Sequence, residues 1–134
     1  MLHPMRHSRP QIAVLDDEPQ MGKALGRLLS SHGLEATTFT LGGELLAACA
    51  LKQPDCLLLD LNMPVMDGFE VLERLKQAGL RFPVIIITSV DSPEARERAM
   101  SVHPAAFFRK PLDGQTLLDA VDLAIRHNLK ERAS

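Results

Sequence analysis

The sequence predicts an α/β fold: a doubly wound, five-stranded parallel sheet with five helices. Three observations point to it. Apolar runs that read as strands alternate strictly with segments of helical apolar spacing. The best-defined runs stop at a polar residue. No repeat, low-complexity tract or internal linker divides the 134 residues, a length that suits one domain. Strict alternation implies right-handed crossovers and helices on both faces of the sheet.

Ile12 to Leu15 is the first predicted strand, and Asp16-Asp17-Glu18-Pro19 follows it. A helix is expected from about Gln20 to His32, with Met21, Leu25, Leu28 and Leu29 on one face. Gly33 stands where a helix-terminating glycine belongs. Leu34 to Phe39 mixes apolar residues with Glu35, Thr37 and Thr38, which suits a sheet edge. Thr40 is the expected cap of a second helix running to about Leu51, with Leu41, Leu45 and Ala48 facing inward. Pro54-Asp55 breaks the chain. Cys56 to Leu59 is apolar at every position, as a central strand covered on both faces must be.

After Asp60 comes a loop, residues 62–68, and then a helix with Phe69, Leu72 and Leu75 that stops near Gly79. Val84 to Ile87 is the fourth strand and ends at Thr88. Ser92-Pro93-Glu94 is a helix start: a capping hydroxyl, proline at the first helical position and an acid in the first turn. That helix has a thin apolar face (Ala95, Ala99, Met100), so it should be the least firmly packed. Ala105 to Phe108 is the fifth strand, followed by Arg109-Lys110-Pro111. Asp113 caps a last helix with a stripe of Leu117, Val121, Ala124 and Ile125. Residues 1–10 read as a disordered leader, 11–127 as the folded domain, and 128–134 as a polar tail or the start of a linker.

Composition excludes several classes. The net charge is -2, with no sign of the clustered basic face of a nucleic-acid-binding domain. No apolar run approaches the roughly 20 residues of a membrane span, and the start lacks an apolar signal core. The two cysteines, Cys49 and Cys56, form no C-x-x-C pair and read as small buried residues. A cytoplasmic location is expected.

In an open parallel sheet the carboxyl ends of all strands share one edge, and ligands bind where the strand order reverses. With the order 2-1-3-4-5, strands one and three are neighbours at that reversal. Asp16, Asp17 and Asp60 then crowd one crevice, with Thr88 and Lys110 from the next two strand ends. Clustered carboxylates repel unless a cation sits among them. Their hard oxygens suit Mg²⁺, commonly held by one or two carboxylates plus phosphate oxygens. A carboxylate can also act as a nucleophile and form an acyl phosphate, and Asp60 is the candidate. The metal, the Lys110 ammonium and the Thr88 hydroxyl could each take one phosphoryl oxygen. Each residue also has a plainer reading. Asp17 or Glu18 before Pro19 could cap a helix, Thr88 could bond backbone, and Lys110 could be a solvated charge. The joint occurrence favours the chemical reading.

The runs Asp16-Asp17-Glu18-Pro19, Asp60-Leu61-Asn62-Met63-Pro64-Val65-Met66-Asp67-Gly68, Thr88-Ser89 and Lys110-Pro111 resemble the receiver domain of two-component response regulators. The likeness covers about Gln11 to His127. That family has the flavodoxin-like 2-1-3-4-5 sheet, so the strand order is not an independent reading. The resemblance implies that Asp60 is the phosphoacceptor. It implies that Asp17 binds Mg²⁺ directly, that Asp16 does so largely through water, and that the Asn62 backbone carbonyl is a further ligand. Thr88 and Lys110 would contact the phosphoryl group, and the Lys110-Pro111 peptide would be cis.

The implied partner is a histidine kinase or a histidine phosphotransfer protein. Enzymatic activity would be limited to self-directed phosphotransfer and autodephosphorylation. Thr88 and Phe107, the latter at the aromatic switch position, would relay the signal to the face formed by helix four, strand five and helix five. Phe107 could equally be plain core. Asn62 and Val90 match positions that in the family tune the lifetime of the phosphorylated state. One departure is His103-Pro104 where the family usually has Gly-Ala, which should stiffen that loop. Competing readings are a small-molecule phosphohydrolase with an aspartyl nucleophile and a degenerate receiver acting as a binding module. Two architectures remain open: a stand-alone receiver, or part of a longer regulator with an output domain. The oligomeric state is expected to be a monomer or a phosphorylation-dependent homodimer.

Overall fold

The computed structural model describes residues 9–63, 65–89 and 92–133. Most of the expected leader, together with Pro64, Val90, Asp91 and Ser134, lies outside the described residues. Ten elements alternate in chain order: β1 (Gln11–Leu15), α1 (Pro19–Ser31), β2 (Glu35–Phe39), α2 (Gly42–Leu51), β3 (Cys56–Asp60), α3 (Gly68–Gln77), β4 (Val84–Thr88), α4 (Pro93–Met100), β5 (Ala106–Arg109) and α5 (Gly114–Ala133). The strands form one parallel sheet in the order β2-β1-β3-β4-β5, as the sequence predicts.

Side chains alternate across the sheet and divide the core in two. Ile12, Val14, Leu58, Ile85 and Ile87 pack with Leu25 and Leu29 of α1 and Leu117 and Val121 of α5. Ala13, Leu15, Leu57, Leu59 and Ile86 pack with Leu45 of α2, Val71 and Leu75 of α3 and Ala99 of α4. β3 is buried at all five positions, whereas the edge strand β2 holds only exposed and half-buried residues. Cys56 belongs to the first cluster and Cys49 to the second, so the sheet separates the two free thiols.

Local chemistry explains the helix ends. Proline opens α1, and Gly33 closes it with φ +79 while Leu34 N–H bonds to Leu29 O. Asp67, Ser92 and Asp113 cap α3, α4 and α5 through side-chain oxygens that accept from Glu70, Ala95 and Thr116 N–H.

Several expectations are corrected. Thr40 does not cap α2: the cap position is Leu41, with no side-chain bond, and Leu41 is half exposed instead of inward. The reason lies at Gly42, where an added Cβ would stand 2.9 Å from Met66 Sδ and 3.0 Å from Val71 Cγ2. The bare glycine lets α2 begin against the β3–α3 loop, which rotates Leu41 outward and seats Cys49 in the core with Leu45. Met100 is exposed, because Ala99 is the α4 residue turned to the sheet. α5 runs on to Ala133. Residues 128–133 contain no glycine or proline, and His127 pairs with Glu131 one turn on, at 3.2 Å.

His103, after α4, has φ +53, in the left-handed region that costs an L-residue about 1 kcal/mol or more. Pro104 follows and fixes the next φ. His103→Gly is expected to stabilise the fold by about 0.5–1 kcal/mol, read as a rise of a few degrees in the thermal midpoint. An unchanged or lower midpoint would mean that the His103 side chain repays its strain.

Candidate functional site

The sheet register builds the site. Leu15 pairs with Leu59, so Asp16 and Asp60 leave β1 and β3 side by side. Asp60 pairs with Ile87 and Thr88 with Arg109, so Thr88 and Lys110 follow at the next two strand ends. Asp16, Asp60 and Thr88 are all buried. Asp17 is half-buried. One oxygen each from Asp16, Asp17 and Asp60 lie within 4.8 Å of one another.

Lys110 enters this cluster from β5. Its ammonium donates to Asp16 Oδ2 at 2.8 Å and lies 3.6 Å from both Asp60 Oδ2 and Glu18 Oε1. The Lys110 backbone N–H donates to Thr88 O at 2.8 Å, tying the two strand ends together. The Lys110-Pro111 peptide is cis. The Asp16 Oδ1 and Asp60 Oδ1 atoms accept from the backbone N–H of Glu18 (3.0 Å) and Asn62 (3.1 Å). Neither Asp17 nor Glu18 caps α1 with its side chain; Glu18 holds the cap position without such a bond.

Electrostatics set Asp60 apart. Burial pushes its pKa up to about 6, against the opposing effects of the Asn62 N–H and the Lys110 charge; Asp16 and Asp17 push it further up. For Lys110, burial disfavours the charge. The Asp16 hydrogen bond and the Asp60, Asp16 and Glu18 carboxylates outweigh that, and its pKa lies above the ordinary lysine value.

Gly68 shapes the loop beyond Asp60. Its N–H donates to Leu61 O at 3.0 Å, and an added Cβ would stand 2.8 Å from Leu61 Cα and 2.9 Å from Asp60 O. Both are backbone atoms and cannot step aside. Gly68→Ala is therefore expected to destabilise by about 1–3 kcal/mol, measured by denaturant unfolding. A wild-type midpoint would show that the loop yields freely.

Asp16, Asp17, Asp60, Asn62, Thr88 and Lys110 lie at this edge, and Phe107 does not. That ring is half-buried within the sheet, beside Ile86 and packed into the cluster under α2, α3 and α4. Sequence reasoning missed Glu18 as a neighbour of Lys110. Its place next to the acidic pair was the available signal. It also missed how closely Gly68 approaches Asp60, where the signal was an Asp-Gly pair at a helix start.

Comparisons with known proteins agree with this geometry. Residues 12–122 match the family described as response regulator receiver domain. The chain is 40% identical over 114 residues to the DNA-binding transcriptional regulator NtrC of Salmonella typhimurium, an alignment covering 85% of this chain and 24% of that protein. It is 30% identical over 130 residues to nodulation protein W of Bradyrhizobium diazoefficiens, covering 97% of this chain and 57% of the relative. The chain thus spans about a quarter of the length of the first relative and just over half of the second. Among solved structures, a response regulator receiver protein from Burkholderia phymatum superposes with a TM-score of 0.77 at 38% identity, covering 87% of this chain and 95% of that one. Chemotaxis protein CheY4 of Vibrio cholerae gives 0.79 at 28% identity, covering 87% and 99%. With fold, strand-end site and relatives in agreement, the chain belongs to the response regulator receiver domain family of two-component systems.

Proposed function

We propose that this chain is a phosphorylation-dependent signalling receiver that accepts a phosphoryl group onto Asp60 from a histidine kinase or histidine phosphotransfer protein. The observation that carries the reading is the gathering of Asp16, Asp17 and Asp60 carboxylate oxygens within 4.8 Å of one another, with the Lys110 ammonium 3.6 Å from Asp60, whose pKa burial pushes up to about 6. In the transfer, an Asp60 carboxylate oxygen forms a bond to phosphorus as the N–P bond of the donor phosphohistidine breaks, and the electron pair returns to the imidazole. Lys110 is placed to neutralise the negative charge that arrives, while the Asn62 N–H holds the carboxylate in orientation. Thr88 offers its hydroxyl from the adjacent strand end. Later hydrolysis of the acyl phosphate returns Asp60 to its starting state.

The donor set also fits a hard divalent cation. Three carboxylate oxygens lie within 4.8 Å of one another beside the Lys110 ammonium, and all are hard ligands. Asp17 and Asp60 would hold Mg²⁺ directly, Asp16 largely through water, and the Asn62 backbone carbonyl would complete the protein's share. When bound, Mg²⁺ supplies charge neutralisation for the phosphoryl oxygens.

Residues 11–127 constitute the receiver unit in this reading, and residues 128–133 carry α5 onward. The length of the NtrC relatives supports an attached output domain, with Thr88 and Phe107 passing the change to the α4–β5–α5 face. No helix among the described residues is long and apolar enough to cross a membrane, which accords with action in the cytoplasm beside the kinase.

Intact mass spectrometry after incubation with acetyl phosphate tests the assignment. Wild type should gain one phosphoryl group only with Mg²⁺, and Asp60→Asn should gain none. An Asp60→Asn protein that still becomes phosphorylated with Mg²⁺ would overturn the assignment of Asp60.

A further inference from the structure

Helix α4 is attached to the domain by little apolar surface. Of its eight residues only Ala99 is buried, and Met100 is exposed. A groove of about 890 Å³ runs between α3 and α4, lined by Phe69, Leu72, Leu75, Phe82, Val102 and Arg98. Apolar interdigitation therefore does not close the α3–α4 contact.

Two arginines bridge α4 to its neighbours instead. The Arg98 guanidinium carbon lies 4.0 Å from the centroid of the Phe69 ring on α3. The Arg96 guanidinium carbon lies 5.2 Å from the centroid of the Phe107 ring on β5. Residues two apart on a helix point to nearly opposite sides, so one arginine reaches each flank. Each such contact shifts an equilibrium roughly two- to fivefold at an accessible site. A guanidinium that leaves a ring returns to water, whereas a withdrawn apolar side chain leaves a void. Contacts of this kind hold a helix in place and release it readily.

We propose that Arg98 on Phe69 and Arg96 on Phe107 are paired clasps that hold α4 in its resting position and set how readily the α4–β5 face rearranges. The switching role rests on the receiver function proposed above; the clasps themselves do not. For Phe107 to move inward, Arg96 must leave its ring. For α4 to shift against α3, Arg98 must leave Phe69.

Hydrogen–deuterium exchange on the full chain, without metal or phosphodonor, tests the clasps. Wild type is compared with Arg98→Gln, Phe69→Leu and the double variant. Exchange in the α4 segment should quicken about two- to fivefold in each single variant and no further in the double, while β1 and β3 stay unchanged. Unaltered α4 exchange in the single variants, or full additivity in the double, overturns the proposal. Should Phe69→Leu loosen β3 as well, the single variants Arg98→Gln and Arg96→Gln decide: each should quicken α4 exchange by a similar factor, and unaltered exchange in both overturns the proposal.

The same proteins are then treated with acetyl phosphate and Mg²⁺. If the resting position limits phosphorylation, Arg98→Gln should be modified faster than wild type by a similar factor. Quickened exchange without quickened modification overturns the link to switching. A wild type that takes up no phosphoryl group overturns the receiver function and that link with it, while the exchange data still judge the clasps.

Discussion

Asp60→Asn is expected to make the metal-free protein more stable at neutral pH. Burial first, and then the Asp16 and Asp17 charges, raise the Asp60 pKa to about 6 despite the Asn62 N–H and Lys110. In the unfolded chain an aspartate titrates near 3.9. The folded pKa is the higher one, so the folded protein favours the protonated form. Stability from this group is fully present below about pH 4 and is lost as pH rises through about 6. The difference of roughly two units corresponds to about 3 kcal/mol at most above pH 7. The asparagine variant carries no such penalty. Its thermal midpoint in chelator should exceed that of wild type by about 5 °C or more at pH 7.5, and the gap should close near pH 4. Adding Mg²⁺ should narrow the gap at pH 7.5 by stabilising wild type. Equal midpoints at pH 7.5 would show that the Asp60 charge is well compensated in the free protein.

Lys110→Met is expected to have the opposite sign. The lysine side chain is nine-tenths buried, and Asp16, which accepts its 2.8 Å bond, is almost fully buried. Removing the ammonium leaves that carboxylate buried without its cation, which costs about 3 kcal/mol or more. The folded pKa of Lys110 is raised, so its contribution is fully present at pH 7.5 and is lost only in the alkaline range. The thermal midpoint at pH 7.5 should fall by about 10 °C, and most of the loss should persist in high salt because the pair is buried. Phosphorylation by acetyl phosphate should slow on the order of 10²-fold. Combining it with Asp60→Asn should recover part of the stability, because one carboxylate of the unbalanced cluster is gone. A Lys110→Met protein as stable as wild type would mean that solvent already screens the cluster.

These two substitutions act within one constellation that is plainly legible in the chain. Asp16, Asp60 and Thr88 announce themselves because apolar strand residues must stop where the backbone leaves the core, and a polar residue marks each stop. Parallel strands then bring those stops to one edge. Ser92 and Asp113 are readable in the same local way, since a cap bonds to an amide three residues on. Gly33 is another such case, because its left-handed φ is a property of one residue.

Other features depend on neighbours distant in sequence. Leu41 faces water because Gly42 nests against Met66 and Val71, a contact no local pattern encodes. Helical spacing marks Met100 as a core candidate, yet the short α4 turns Ala99 to the sheet. The raised Asp60 pKa and the place of Glu18 near Lys110 arise from burial and charge gathered across the whole sheet. The contacts of the α4 arginines with Phe69 and Phe107 exist only in the packed molecule, and no local pattern encodes them. Strand identity, chain order and the chemistry of the strand ends are local or periodic, so the residues alone specify them. Helix rotation, burial and electrostatic balance are sums over residues brought together by folding, and they take their values only in the packed molecule.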